Sequence, residues 1–143
     1  MVVAARFIAE ILGLGASVRT MQELDTAVTD GLPKRSLVLL SSRLYRDHRA
    51  ANAFKYKVIP AATWKRRAHE KRLSPQESER IERLARVLAY AEYVLDDQED
   101  ARQWMNAGHS ELDEKTPLEA ARTEIGARRV ESVLNKLFFG LPA

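Results

Sequence analysis

The sequence contains no cysteine. That excludes disulfides, thiol nucleophiles and cysteine-ligated zinc, and it fits a reducing cytoplasm. Histidine is scarce: His48, His69 and His109 lie far apart, and His69-Glu70 has no second histidine four residues on, so the zinc-protease pattern is missing. Glycine is sparse as well. Gly13-x-Gly15 has no strand before it and no third glycine, which makes it a helix stop rather than a phosphate loop. No uncharged run is long enough to span a bilayer. Arg6 and Glu10 interrupt the partly apolar residues 1–15, and no small-residue cleavage pattern follows, so no signal peptide is expected. The acidic run Asp96, Asp97, Glu99 and Asp100 stands at the start of a helix carrying Ala101 and Trp104, where negative charge complements the helix dipole. The reading is therefore of a protein that is not an enzyme and takes no metal and no cofactor.

What is present is helical periodicity. At 45% apolar and 30% charged residues the chain is a folding sequence, and 143 residues suffice for one compact unit or two small ones. β-branched alternation is almost absent, so the expectation is all-α; residues 36–40 alone could pass as a strand. Phe7, Ile8, Ile11 and Leu12 form one apolar face, and Met21, Leu24 and Val28 a second. Two helix starts are explicit. Ser74-Pro75-Gln76-Glu77 and Thr116-Pro117-Leu118-Glu119 each combine a capping box with proline at the first helical position. The first launches a stripe of Ile81, Leu84, Ala85, Leu88, Ala91 and Leu95. The last helix is expected to pack Val130, Val133, Leu134, Leu137 and Phe138 as one face, with Phe139 off it.

Charge is uneven. Between Arg43 and Arg72 ten basic residues face two acids, a local +8 that leaves −5 for the rest of a chain whose total is +3. A basic centre between acidic flanks is the footprint of a polyanion site. Within it a short helix over residues 47–54, a turn over 55–59 and a helix over 60–69 meet the lengths of a helix-turn-helix. Trp64 is the expected core anchor of the second helix. Thr63, Lys65, Arg66 and Arg67 would reach base edges or phosphates, while Arg46, Arg49, Lys55, Lys57, Lys71 and Arg72 flank the groove.

The final forty residues carry the most specific pattern: Trp104, Leu112, Thr116-Pro117-Leu118-Glu119, Gly126, Val130, Leu134 and Gly140. Order and spacing resemble the toxin-binding domain of the Xre/MbcA/ParS antitoxins, partners of RES-domain toxins. The resemblance extends upstream to Gly31-Leu32-Pro33, Thr63-Trp64, Arg66-Arg67 and Leu73-Ser74-Pro75-Gln76-Glu77-Ser78. The chain departs from the family at Pro60, usually serine, at Ala62, often arginine, at Gly108-His109, usually Pro-Asn, and at Glu114, usually glycine. The resemblance implies an N-terminal helical segment over residues 1–30, an Xre-like helix-turn-helix over 31–80 and a toxin-binding domain over 81–143. It implies a RES-type, NAD-consuming toxin as partner, contacted through Arg128, Phe139, Gly140, Leu141, Pro142 and Ala143. Operator DNA would be the second partner, giving autoregulation of the operon; because one short recognition helix reads too few bases, a homodimer within a larger complex is expected. The alternative is a helix-turn-helix regulator without a toxin partner.

Overall fold

The computed structural model describes residues 3–141. Helices α1 (Ala5–Leu12), α2 (Met21–Asp30), α3 (Lys34–Leu44), α4 (His48–Val58), α5 (Ala61–Arg66), α6 (Pro75–Leu95), α7 (Gln98–Met105), α8 (Pro117–Ala120) and α9 (Glu124–Phe138) follow one another, with a 3-10 turn at Ser110–Leu112. The fold is all-α. Among the described residues there is no strand, only an isolated bridge between Pro33 and Arg72, and residues 36–40 are helical. No helix among them is long and apolar enough to cross a membrane.

Two compact units divide the chain within α6, one comprising Ala4–Glu82 and the other built from Arg83 onward together with Val3. In the first, α3 packs against both α1 and α4. Leu37, Leu40 and Leu44 of α3 are fully buried, as are Ile8 and Leu12 of α1. Of the expected second face only Leu24 is buried; Met21 is 45% exposed. The Gly31-Leu32-Pro33 segment closes this unit. Its Leu32 carbonyl accepts from the Leu73 amide at 2.8 Å, and the Lys34 amide donates to Lys71 O at 3.2 Å. The buried Leu32 amide donates to Ser78 Oγ at 2.8 Å. Two sequence motifs forty residues apart are thus halves of one clasp.

Local chemistry sets the helix starts. Ser74 Oγ accepts from the Glu77 amide at 3.1 Å while Glu77 Oε1 accepts from the Ser74 amide at 2.9 Å, the reciprocal box expected there. Thr116 and Glu119 repeat it, and Thr20 with Glu23 forms a third. Asp97 caps α7 by accepting from the Asp100 amide at 2.8 Å, so the acidic run serves its helix terminus.

In the second unit Arg83 and Arg86 tie α6 to α9. Arg86 bridges Glu124 at 3.0 Å and Glu131 at 2.9 Å, and Arg83, its side chain 9% exposed, pairs with Glu124 and donates to the Arg122 carbonyl. The Tyr90 hydroxyl donates to Asn135 Oδ1. Gly126 lets α9 start against the end of α8: a Cβ there would stand 1.7 Å from the Ala120 carbonyl oxygen.

Candidate functional site

The basic segment folds as two helices joined by a turn, with limits that differ from those expected. Asp47 caps α4 as its side chain accepts from the Ala50 amide at 3.0 Å. Residues 55–58, expected as a turn, continue α4, where Lys55 and Lys57 complement the negative end of the helix dipole. The break comes at Ile59. Proline disfavours helical backbone in the residue before it, and Ile59 takes φ −130, ψ 115 with its side chain buried. Pro60 is the N-cap, φ −53 and ψ 144, not the first helical residue. Helix α5 then spans only Ala61–Arg66, and residues 67–69 form turns.

No residue of α5 is buried, so Trp64 is not a core anchor. The half-buried indole is held by cations instead. Lys55 Nζ lies 4.8 Å and Lys34 Nζ 5.0 Å from the ring centroid. Lys34 also donates to the Arg67 carbonyl at the end of α5.

The cations expected to meet nucleic acid separate into two kinds. Arg49 and Lys57 on α4, with Lys65 and Arg66 on α5, are exposed, and among the described residues none of their side chains has an ion pair or hydrogen bond. Arg46, in the segment before α4, is exposed, and Thr63 is half-buried on α5. Arg67 is different. Its Nη1 contacts both oxygens of Glu77 at 2.9 and 2.7 Å, and its Nε contacts Glu70 at 2.7 Å. Burial pushes the Glu77 carboxyl up. The bonds from Arg67 and from the Ser74 amide and hydroxyl outweigh that and hold it below the usual glutamate range. The same carboxylates raise the Arg67 guanidinium above its ordinary value. Arg67 therefore fastens the end of α5 to the first turn of α6.

A second surface lies at the tip of α9. Ala127, Val130, Val133 and Leu134 are buried, but the packed face stops there. Leu137 and Phe138, expected within it, are 37% and 42% exposed. Phe138 stacks on Tyr93 with ring centroids 5.9 Å apart and meets Phe139 edge-on at 5.0 Å. With Phe139 and Leu141 at 63% and 56% exposure, these side chains make an apolar patch. Tyr93 is not among the residues expected from sequence; its signal is an aromatic lying off the Leu88, Ala91, Leu95 stripe of α6.

Gly140 orders this tip. At φ 68 its amide donates to Leu137 O at 3.2 Å and that of Leu141 to Lys136 O at 2.8 Å, a paired helix stop that turns Leu141 back over the last turn. Arg128 is exposed and without a partner among the described residues. Pro142 and Ala143 lie outside the described residues.

The loop before α8 joins Trp104 to α9. His109 packs on Trp104 at 4.8 Å, Lys136 bridges Glu111 at 3.1 Å, and Arg129 bridges Asp113 at 3.1 Å. Glu114, φ 66, occupies the left-handed region.

Residues 91–140 match the antitoxin Xre/MbcA/ParS C-terminal toxin-binding domain, and residues 23–86 match the antitoxin Xre-like helix-turn-helix domain. An antitoxin Xre of Pseudomonas putida is 29% identical over 124 residues, covering 82% of this chain and 72% of that protein. An antitoxin Xre of Yersinia enterocolitica is 35% identical over 78 residues, 54% of this chain and 53% of its own.

Proposed function

This chain belongs to the Xre/MbcA/ParS antitoxins, with an Xre-like helix-turn-helix ahead of a C-terminal toxin-binding domain, and from that premise we propose that it neutralises a RES-type, NAD-consuming toxin by placing the tip of α9 over the toxin's active site. The exposed patch of Tyr93, Phe138, Phe139 and Leu141 carries this reading. Apolar side chains clustered on an ordered backbone are the anchors from which tight interfaces are built, and one buried aromatic is commonly worth about 2 kcal/mol or more. The plug performs no chemistry; it occupies substrate space.

The same chain represses its own operon through residues 31–80, while residues 81–143 hold the toxin. Lys65 and Arg66 on α5 meet the groove, with Arg49 and Lys57 on phosphates. Each phosphate contact contributes about −0.9 to the slope of log K against log salt. One six-residue helix reads few bases, so the repressing form is a two-fold dimer whose partners share an operator.

Removal of residues 139–143 tests the plug. Ala127, Val130, Val133 and Leu134 remain packed, so helical content and promoter binding are retained, while rescue of cells expressing the toxin is lost. Full rescue by the truncated protein refutes the placement and moves inhibition to the outer face of residues 126–136, where Arg128 stands.

A further inference from the structure

We propose that Trp64 is a positioning residue that presents the Lys55 ammonium to one phosphate of bound DNA, a role that rests on the DNA-binding reading above. Trp64 is the largest side chain of α5, yet the helix buries none of its residues. Two ammonium groups lie against the indole. Lys55 Nζ lies 4.8 Å from its centroid and 4.6 Å from that of Tyr56, and Lys34 Nζ lies 5.0 Å from the indole.

The two lysines are not equivalent. Lys34 donates to the Arg67 carbonyl, so its cation is committed to the negative end of α5 and ties α3 to that helix. Lys55 has no carboxylate or carbonyl partner among the described residues; its contacts are aromatic faces. An aromatic face attracts a cation without neutralising it. The ammonium therefore retains N–H donors for a further partner. A free lysine stem samples many rotamers and loses that freedom when it clamps a phosphate. The indole removes part of that loss before DNA arrives. Lys55 is in the last turn of α4 and Trp64 in the middle of α5, so the held cation sits where the two helices meet. In helix-turn-helix complexes the first helix crosses the backbone while the second enters the groove.

A purely space-filling Trp64 would be replaced equally well by leucine, which lacks the charged-face interaction. The test measures affinity over a salt series for a duplex covering the promoter of the protein's own gene. Lys55→Gln takes about 0.9 off the salt slope, as expected when one phosphate is left without its cation. Trp64→Phe keeps slope and affinity. Trp64→Leu keeps helical content and melting temperature, weakens binding about two- to fivefold and moves the slope toward that of Lys55→Gln. In the Trp64→Leu background Lys55→Gln costs less than in the wild type. Equal costs of Lys55→Gln in both backgrounds, or a Trp64→Phe variant as weak as Trp64→Leu, overturn the role. Should Trp64→Leu unfold, the same comparison is made in a Trp64→Met background, and an unchanged slope for Lys55→Gln in the wild type overturns the role by itself. A wild-type protein that binds the duplex at no salt concentration overturns the DNA-binding reading itself, an outcome distinct from a bound complex in which Trp64→Leu changes nothing.

Discussion

Arg66 and Arg67 are adjacent, identical in chemistry and opposite in circumstance, so alanine substitution at each separates DNA contact from folding. Arg67 is engaged by Glu77 and Glu70, with the Arg67 and Glu77 side chains only 17% and 12% exposed. Arg67→Ala leaves the Glu77 carboxylate with the Ser74 amide and hydroxyl as its remaining partners, in a place where burial disfavours its charge. Removing one member of a buried pair costs about 3–5 kcal/mol. Both groups here keep contact with water and Glu77 keeps its cap, so the cost falls below that range, at about 1–3 kcal/mol. A loss of about 2 kcal/mol is roughly thirtyfold in the folding constant. Arg66 is exposed and without a partner among the described residues. Its removal should leave stability within about 0.5 kcal/mol and weaken the promoter complex by about 1–3 kcal/mol if it reads a guanine.

Urea denaturation followed by far-UV circular dichroism gives the first quantity, and band shifts on promoter DNA well below the melting temperature give the second. The pair also has a pH signature. Glu77 is held below its unfolded value of about 4.3. Its contribution is therefore complete above that value and disappears as pH falls through it and down through the lower folded value. The cost of Arg67→Ala should shrink in acid for the same reason. An Arg67→Ala protein as stable as wild type at neutral pH, yet defective on DNA, would refute the structural assignment of this arginine.

Glu114 stands at φ 66, a backbone region that costs a side-chain-bearing residue about 1–2 kcal/mol. Glu114→Gly should raise stability by about 0.5–1 kcal/mol after the extra unfolded-state entropy of glycine, read as a higher urea midpoint; a lower midpoint would show that the glutamate side chain has a stabilising role. Gly126→Ala should cost about 3 kcal/mol or more, because a methyl group 1.7 Å from a backbone carbonyl cannot be relieved by rotating a side chain. Thermal melting checks it, and an unchanged melting temperature would mean that α8 and α9 separate freely.

Some of this is legible in sequence because it is local. The boxes at Ser74 and Thr116 need only residues three apart, and both form. Pro60 marks the turn correctly but not its register: proline favours the first helical position, yet here it stands one residue earlier, as the cap. The end of α4 is not legible in residues 55–58 themselves, which contain no glycine or proline; the stop is imposed on Ile59 by the proline that follows. The size of Trp64 suggests burial, yet a six-residue helix covers too little surface to bury it, and lysines cover it instead. Charge counting cannot separate Arg66 from Arg67. The difference is made by Glu77, which the clasp between residues 31–34 and 71–73 helps bring to the end of α5. Periodicity likewise identifies the face of α9 but not its length. A helix face is buried only as far as there is structure opposite it.

That last point bears on why the tip of α9 is apolar at all. Beyond Leu134 the unit itself does not cover the face, and exposed Leu137, Phe138, Phe139 and Leu141 contribute little to folding while adding sticky surface. The tip nevertheless spends a left-handed glycine on an ordered stop, and Tyr93 supports it from the side. A fixed backbone lowers the ordering cost of association, so apolar groups on it bind more tightly than the same groups on a frayed end. On the proposed reading, affinity at this surface comes from removing aromatic area from water, a term that ordinary salt leaves largely intact. On the same reading the helix-turn-helix would act through exposed cations, whose hold on phosphate weakens steeply with salt. The two activities therefore answer to different physical variables. On the proposed reading, raising salt should release operator DNA and leave the toxin bound.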